Sequence, residues 1–147
     1  MDAKTEARRR WMGVLARASA AEIAARLDAA PALPAHVRLR GPETGLVMAR
    51  GRAGGDGAPF NLGEMTVTRC AVRCGDVVGH AYRAGRDARA AELSAALDAA
   101  LQDPGRRDAL LDAVIEPLAR AQSAEREAIA RKAAATRVQF FTMANMR

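Results

Sequence analysis

Ten residues in the middle of the chain, 65–74, alternate in the way a half-exposed β-strand requires. Thr66, Thr68, Cys70, Val72 and Cys74 fall on one face, and Met65, Val67, Arg69, Ala71 and Arg73 on the other. Gly75-Asp76 then turns the chain, and residues 77–84 read as the returning strand. So short a connection predicts an antiparallel hairpin. A sheet of this kind must bury one face, so the flanking segments decide the fold class.

Both flanks read as helical. Residues 5–17 place Trp11, Met12, Leu15 and Ala16 at helical spacing. Ser19 precedes Ala20-Ala21-Glu22, a capping box, and predicts a second helix with Ile23 and Leu27 on its buried face. Pro31 and Pro34 stop it. Residues 37–40 alternate as a short half-buried strand, Gly41-Pro42 signals a turn, and 45–50 form a further strand candidate. Residues 51–59 are glycine-rich and read as a mobile loop. After the hairpin, Asp87 caps a helix whose stripe is Leu93, Ala96, Leu97, Ala100 and Leu101. Leu110, Leu111, Val114 and Ile115 open another helix that Pro117 should break or kink. Residues 119–136 are alanine-rich and charged, with Ile129 their one large aliphatic side chain. The expected fold is α+β: a mainly antiparallel central sheet over about 37–84, covered by an N-terminal helical hairpin and C-terminal helices. We read residues 1–147 as a single domain.

Composition enters through the core. Half the residues are hydrophobic but only 3% are aromatic, so the apolar content is mostly Ala, Leu and Val. Alanine buries little area, and burial contributes about 25 cal/mol per Å². A core of this kind is thin and invites completion by a partner. The formal net charge of +6 and the pI near 10.5 admit nucleic acid, an acidic partner or an anionic substrate. All but two of the 23 basic residues, Lys4 and Lys132, are arginine, whose planar fork suits carboxylate and phosphate. Cys70 and Cys74 would stand about 13 Å apart on one strand face, too far to pair with each other. Reduced thiols and a start without an apolar signal core predict a cytoplasmic protein, and no stretch is apolar enough to span a bilayer. Phe140 and Phe141, followed by Met143, close the chain on an apolar note unusual for a terminus. Two readings fit residues 137–147: a last strand of the chain's own sheet, or a segment inserted into a partner.

Catalytic patterns are missing. The glycine loop lacks the Gly-Lys-Ser/Thr of a phosphate-binding loop, and no zinc-protease helix or Gly-x-Ser-x-Gly elbow occurs. His36 and His80 are the only histidines, too few for a histidine-built metal site; His80 reads as a hydrogen-bonded structural residue and His36 as exposed. Three arginines draw notice. Arg69 and Arg73 share a strand face, and Arg86 opens the loop before a helix whose free amides favour anions. They are candidates for holding a polyphosphate or phosphonate, or for bridging to carboxylates of a neighbouring subunit; otherwise they decorate an exposed sheet.

Several segments, in order, carry a resemblance. Arg10-Trp11-Met12-Gly13-Val14-Leu15-Ala16 is followed by Glu43-Thr44-Gly45-Leu46-Val47-Met48 and by Gly54-Gly55. Then come Thr66-Val67-Thr68-Arg69-Cys70-Ala71-Val72-Arg73, Gly79-His80-Ala81-Tyr82, Gly85-Arg86-Asp87 and Asp98-Ala99-Ala100-Leu101. Ile115-Glu116-Pro117-Leu118 and Ala135-Thr136-Arg137-Val138-Gln139-Phe140-Phe141-Thr142-Met143 complete the set. Together these resemble the PhnG family, subunits of the carbon–phosphorus lyase core complex, with Cys70 where the family strand has Ala. The resemblance implies a hetero-oligomer with PhnH, PhnI, PhnJ and PhnL-like subunits. It implies support for transfer of the ribose triphosphate of MgATP to methylphosphonate with release of adenine, a transferase reaction. S-adenosylmethionine and an iron–sulfur cluster would serve a later step in another subunit. It supplies no catalytic residue for this chain, no metal and no cofactor bound by this chain alone. On this reading the chain is an assembly subunit, inactive alone. Phe140, Phe141 and Met143 would contact a partner, and Arg69, Arg73 and Arg86 would lie at a subunit boundary or near the triphosphate. The competing reading is a basic nucleic-acid-binding module, which would need a recognition helix or stacking aromatics that the sequence does not offer.

Overall fold

The computed structural model describes residues 2–138. Phe140, Phe141 and Met143, the partner-contact candidates, lie outside the described residues. The chain begins with α1 (Ala3–Leu15), which Asp2 caps by accepting from the Thr5 amide at 2.7 Å. The Ser19 capping box then starts α2 (Ala20–Leu27): Ser19 Oγ accepts from Glu22 N and Glu22 Oε2 accepts from Ser19 N. Three antiparallel strands follow, β1 (Val37–Arg52), β2 (Pro59–Cys74) and β3 (Val77–Ala84), in the order β1-β2-β3. The last third holds α3 (Ala88–Leu101), α4 (Pro104–Leu110) and α5 (Glu116–Ala135). The architecture is the expected α+β arrangement.

Among the described residues the sheet has three strands, not the four segments read from the sequence. Gly41-Pro42 does not turn the chain. It is absorbed into β1, where the register shifts between Arg38 and Arg40 and again between Arg40 and Glu43. Proline cannot donate to a ladder, but an edge strand with a bulge tolerates it. The supposed loop at 51–59 is shorter too. Gly51 and Arg52 pair with Phe60 and Pro59, leaving a 3-10 turn at Ala53–Gly55 with Gly54 at φ +63° and Gly55 at φ +91°. Val37 and Leu39, expected to be half buried, are both exposed: Val37 pairs with the exposed Arg73, and it is Arg38 between them that turns toward α3, where Nη2 donates to Glu92 Oε2 at 2.6 Å.

Two clusters make the core. One joins the helices through Trp11, Leu15, Ile23, Leu97, Leu101 and Ile115. The other seals α3 to the sheet through Cys70, Val72, Ala81, Ala91, Ala95 and Ala99. Here the alanine content acquires a structural use. Ala91, Ala95 and Ala99 recur every four residues and let α3 approach β3 so closely that Gly79 has no room for a side chain. A Cβ there would stand 2.0 Å from Ala95 O and 2.6 Å from Ala99 N.

A polar stripe on α3 runs beside that seam. Gln102 Nε2 donates to Val78 O at 2.9 Å, and Asp98 Oδ2 accepts from His80 N at 2.9 Å. These are outward-facing groups of β3, the outer strand of the sheet. Unpaired edges invite unwanted association, and α3 covers this one at Val78 and His80 with its own side chains. Farther on, Pro117 does not break the helix. Its missing N–H is accommodated by a π-helical turn at Leu111–Ile115, in which Glu116 N donates to Leu111 O. Beyond Leu118, α5 buries none of its side chains fully, as the charged sequence implied.

Candidate functional site

Among the described residues, Asp98 is the most heavily committed polar side chain, and sequence reasoning passed over its role. Its side chain is fully buried. Oδ1 accepts from Trp11 Nε1 at 2.9 Å and Arg8 Nε at 3.1 Å; Oδ2 accepts from Arg8 Nη2 at 2.7 Å and the His80 amide. One carboxylate thus ties α1, α3 and β3 together. A buried charge is tolerable only when so fully paired. The available signal was an aspartate set among buried alanines and leucines of α3. His80 is anchored here through its backbone, while its side chain is exposed. His36 is half buried, with Nε2 3.5 Å from Glu92 Oε1.

The hub holds the sheet, and the sheet presents the three arginines. Glu43, Arg69 and Tyr82 stand in register across β1, β2 and β3 on the outer face. Arg69 Nε donates to Glu43 Oε2 at 3.3 Å, and Arg40 lies 3.6 Å from the same carboxylate. An exposed pair of this kind contributes about 0.2–1 kcal/mol, little enough for Arg69 to exchange Glu43 for another anion. Arg73 is exposed between Val37 and Val78, and Arg86 is exposed beyond the far end of β3. The Gly85 amide next to Arg86 donates to Thr66 O, seven strand positions from Arg73, or about 23 Å. The three arginines are therefore strung along the sheet and do not converge on one small ligand. The α3 N-terminus beside Arg86 is filled by Asp87, which accepts from Ala90 N at 2.9 Å and Ala20 N at 3.3 Å.

The larger feature begins beside Arg86, where β3 ends. β3 pairs with β2 only from Val67 to Cys74. Apart from the Gly85 amide at Thr66, residues 46–52 and 59–66 pair only with each other among the described residues and form a two-stranded arm. Leu46 and Leu62 on it are 60% and 63% exposed, and Met48, Phe60 and Met65 are exposed as well. Such a ribbon is marginal by itself in water, and clustered exposed apolar side chains mark contact surfaces. Arginine and tyrosine, the residue types enriched in interface hot spots, stand at its base as Arg69 and Tyr82.

No group of three or more His, Cys, Asp or Glu that could hold a metal occurs among the described residues. Cys70 and Cys74 are free thiols, and burial raises the pKa of both. No helix among the described residues is long and apolar enough to cross a membrane.

The described residues define an α+β protein with an exposed apolar two-stranded arm and an arginine-bearing sheet face. The model of the family described as phosphonate metabolism protein PhnG matches residues 6–145, and the chain belongs to that family. It is similar to the alpha-D-ribose 1-methylphosphonate 5-triphosphate synthase subunit PhnG of Rhizobium meliloti (strain 1021). The two are 46% identical over 143 residues, covering 97% of this chain and 91% of the relative.

Proposed function

We propose that this chain is an assembly subunit of an alpha-D-ribose 1-methylphosphonate 5-triphosphate synthase, without a reaction centre of its own. The observation that carries this reading is the two-stranded arm, whose apolar side chains have no cover within the described chain. In the complex, PhnH, PhnI, PhnJ and PhnL-like subunits are the partners, MgATP and methylphosphonate the substrates, and adenine the leaving group. The chain would work in the cytoplasm and be inactive alone. The arm and the Arg69–Tyr82 surface take partner side chains, with Phe140, Phe141 and Met143 adding a second contact. Arg73 and Arg86 extend the boundary along the sheet.

Co-expression with the partner subunits tests this. The double variant Leu46→Asp, Leu62→Asp should keep the thermal midpoint of the free chain and lose co-purification. Arg69→Ala and Arg86→Ala should weaken assembly or phosphonate-dependent adenine release. Adenine release from MgATP and methylphosphonate by the purified single chain would overturn the reading. So would full assembly of the double-aspartate variant, for the arm as the docking element.

A further inference from the structure

Above the Asp98 contact, the polar stripe of α3 leaves a gap. Gln102 and Asp98 each reach a backbone group of β3, but Ser94, one turn earlier, does not. Its Oγ is buried without a hydrogen-bond partner, and so are Nε and Nη1 of Arg83 on the facing strand. Ser94 is 3% exposed and Arg83 8%. Both line a single partly open pocket of about 30 Å³, with Met12 and Leu15 of α1 and the adjoining Ala16 as its apolar wall and Tyr82 beside them. Alternate residues of an antiparallel edge strand direct their amides outward, so the Tyr82 N–H points the same way as that of His80.

A guanidinium so buried ordinarily has a carboxylate against it. Glu22 and Asp87 are near enough to feel its charge, yet neither bonds to it. Glu22 is lowered first by its hydrogen bonds to Ser19, and Asp87 first by the Ala90 amide; Arg83 adds a smaller pull on each. The two helix caps hold these carboxylates in place, and the N-terminal amides they satisfy already match their charge.

We propose that the Arg83–Ser94 pocket is a carboxylate-binding site, filled by one carboxylate entering between α1 and β3. One oxygen would accept from the Arg83 guanidinium and the other from the Ser94 hydroxyl. The two donor groups, a guanidinium and one hydroxyl, match the two oxygens of a flat carboxylate head, whereas a tetrahedral phosphate would bring further oxygens against the apolar wall. The carboxylate comes either from a free small acid or from an acidic side chain of another subunit. The site itself does not depend on the assembly reading.

The test uses the full chain and sodium acetate as probe, against sodium chloride at equal ionic strength. Acetate should raise the thermal midpoint of the wild type with a saturating dose dependence. The shift should be lost in Arg83→Gln and reduced in Ser94→Ala, a variant small enough to leave packing intact. Identical curves in acetate and chloride would overturn the proposal, as would an undiminished acetate shift in Arg83→Gln. A saturating shift with inorganic phosphate but none with acetate would overturn the carboxylate assignment. The source is read by repeating the titration on the chain co-purified with its partners. A shift that vanishes there assigns the carboxylate to a partner side chain; one that persists assigns it to a free acid.

Discussion

Asp98 shows how much one side chain can organise. Removing it strands the Arg8 guanidinium, the Trp11 indole N–H and the His80 amide at once. Breaking a buried pair from one side costs about 3–5 kcal/mol, so Asp98→Ala should lower the urea midpoint by that amount of stability. Asp98→Asn keeps one acceptor oxygen and should lose less. A loss below about 1 kcal/mol for Asp98→Ala would show that the hub is not a stabilising element. Glu92 illustrates a weaker, pH-dependent effect. Its pKa lies below the ordinary value of 4.5, first because Arg38 donates to both oxygens, with His36 adding to the pull. A depressed folded value means the unfolded chain binds more protons in that window. The contribution is therefore complete above the ordinary value and lost as pH falls through the folded one. Arg38 is well exposed, so solvent screens the pair and the effect is small. Thermal midpoints measured through the acid range should fall less steeply in Glu92→Gln than in the wild type.

At the scale of elements, close approach replaces bulk. The seam between α3 and β3 is built from Ala95, Ala99 and Gly79, and the atoms a new Cβ would strike belong mainly to the helix backbone. Backbone cannot rotate away as a flexible side chain can. Gly79→Ala should therefore cost about 3 kcal/mol by pushing the helix off the sheet. Gly45→Ala, where a Cβ meets nothing within 4 Å, should stay within about 0.5 kcal/mol. Chemical denaturation of both variants checks the contrast; equal stabilities would refute it. Periodicity and caps made these elements legible one at a time. Ser19 with Glu22, Asp87, and the alternation from Thr66 to Cys74 each specify local geometry through neighbours a few residues away. Gly41-Pro42 misled for the same reason. Locally it is a turn signal, but pairing with β2 along most of β1 stabilises the extended form, and an edge position removes the penalty for proline.

For the whole molecule, the division is between a body and an arm. Among the described residues, the body carries both core clusters and the hub, while the arm has one ladder and contributes to neither cluster. Amides at 46–52 and 59–66 should exchange with deuterium faster in the isolated chain than those at 67–74 of β2. Partners seated on the arm should slow them, and equal protection along β2 in the free chain would contradict the division. The basic charge is likewise a property of the whole, spread over sheet and helices. Arg73 and Arg86 sit toward opposite ends of the hairpin, a separation that the spacing from Arg69 to Arg86 did not reveal.

Local chemistry written into the chain was enough for the α+β class, the hairpin turn at Gly75, both helix caps and the poorly buried last helix. Each depends on contacts among near neighbours, whose spacing the residue order states directly. Only the tertiary structure decided that Asp98 would be a buried hub, that Gly79 would lie against Ala95, that Arg83 would be left without an acceptor, and that residues 46–66 would extend past β3. These depend on where α1 and α3 come to rest on the sheet, a balance of many contacts between residues far apart in the chain that no single spacing encodes.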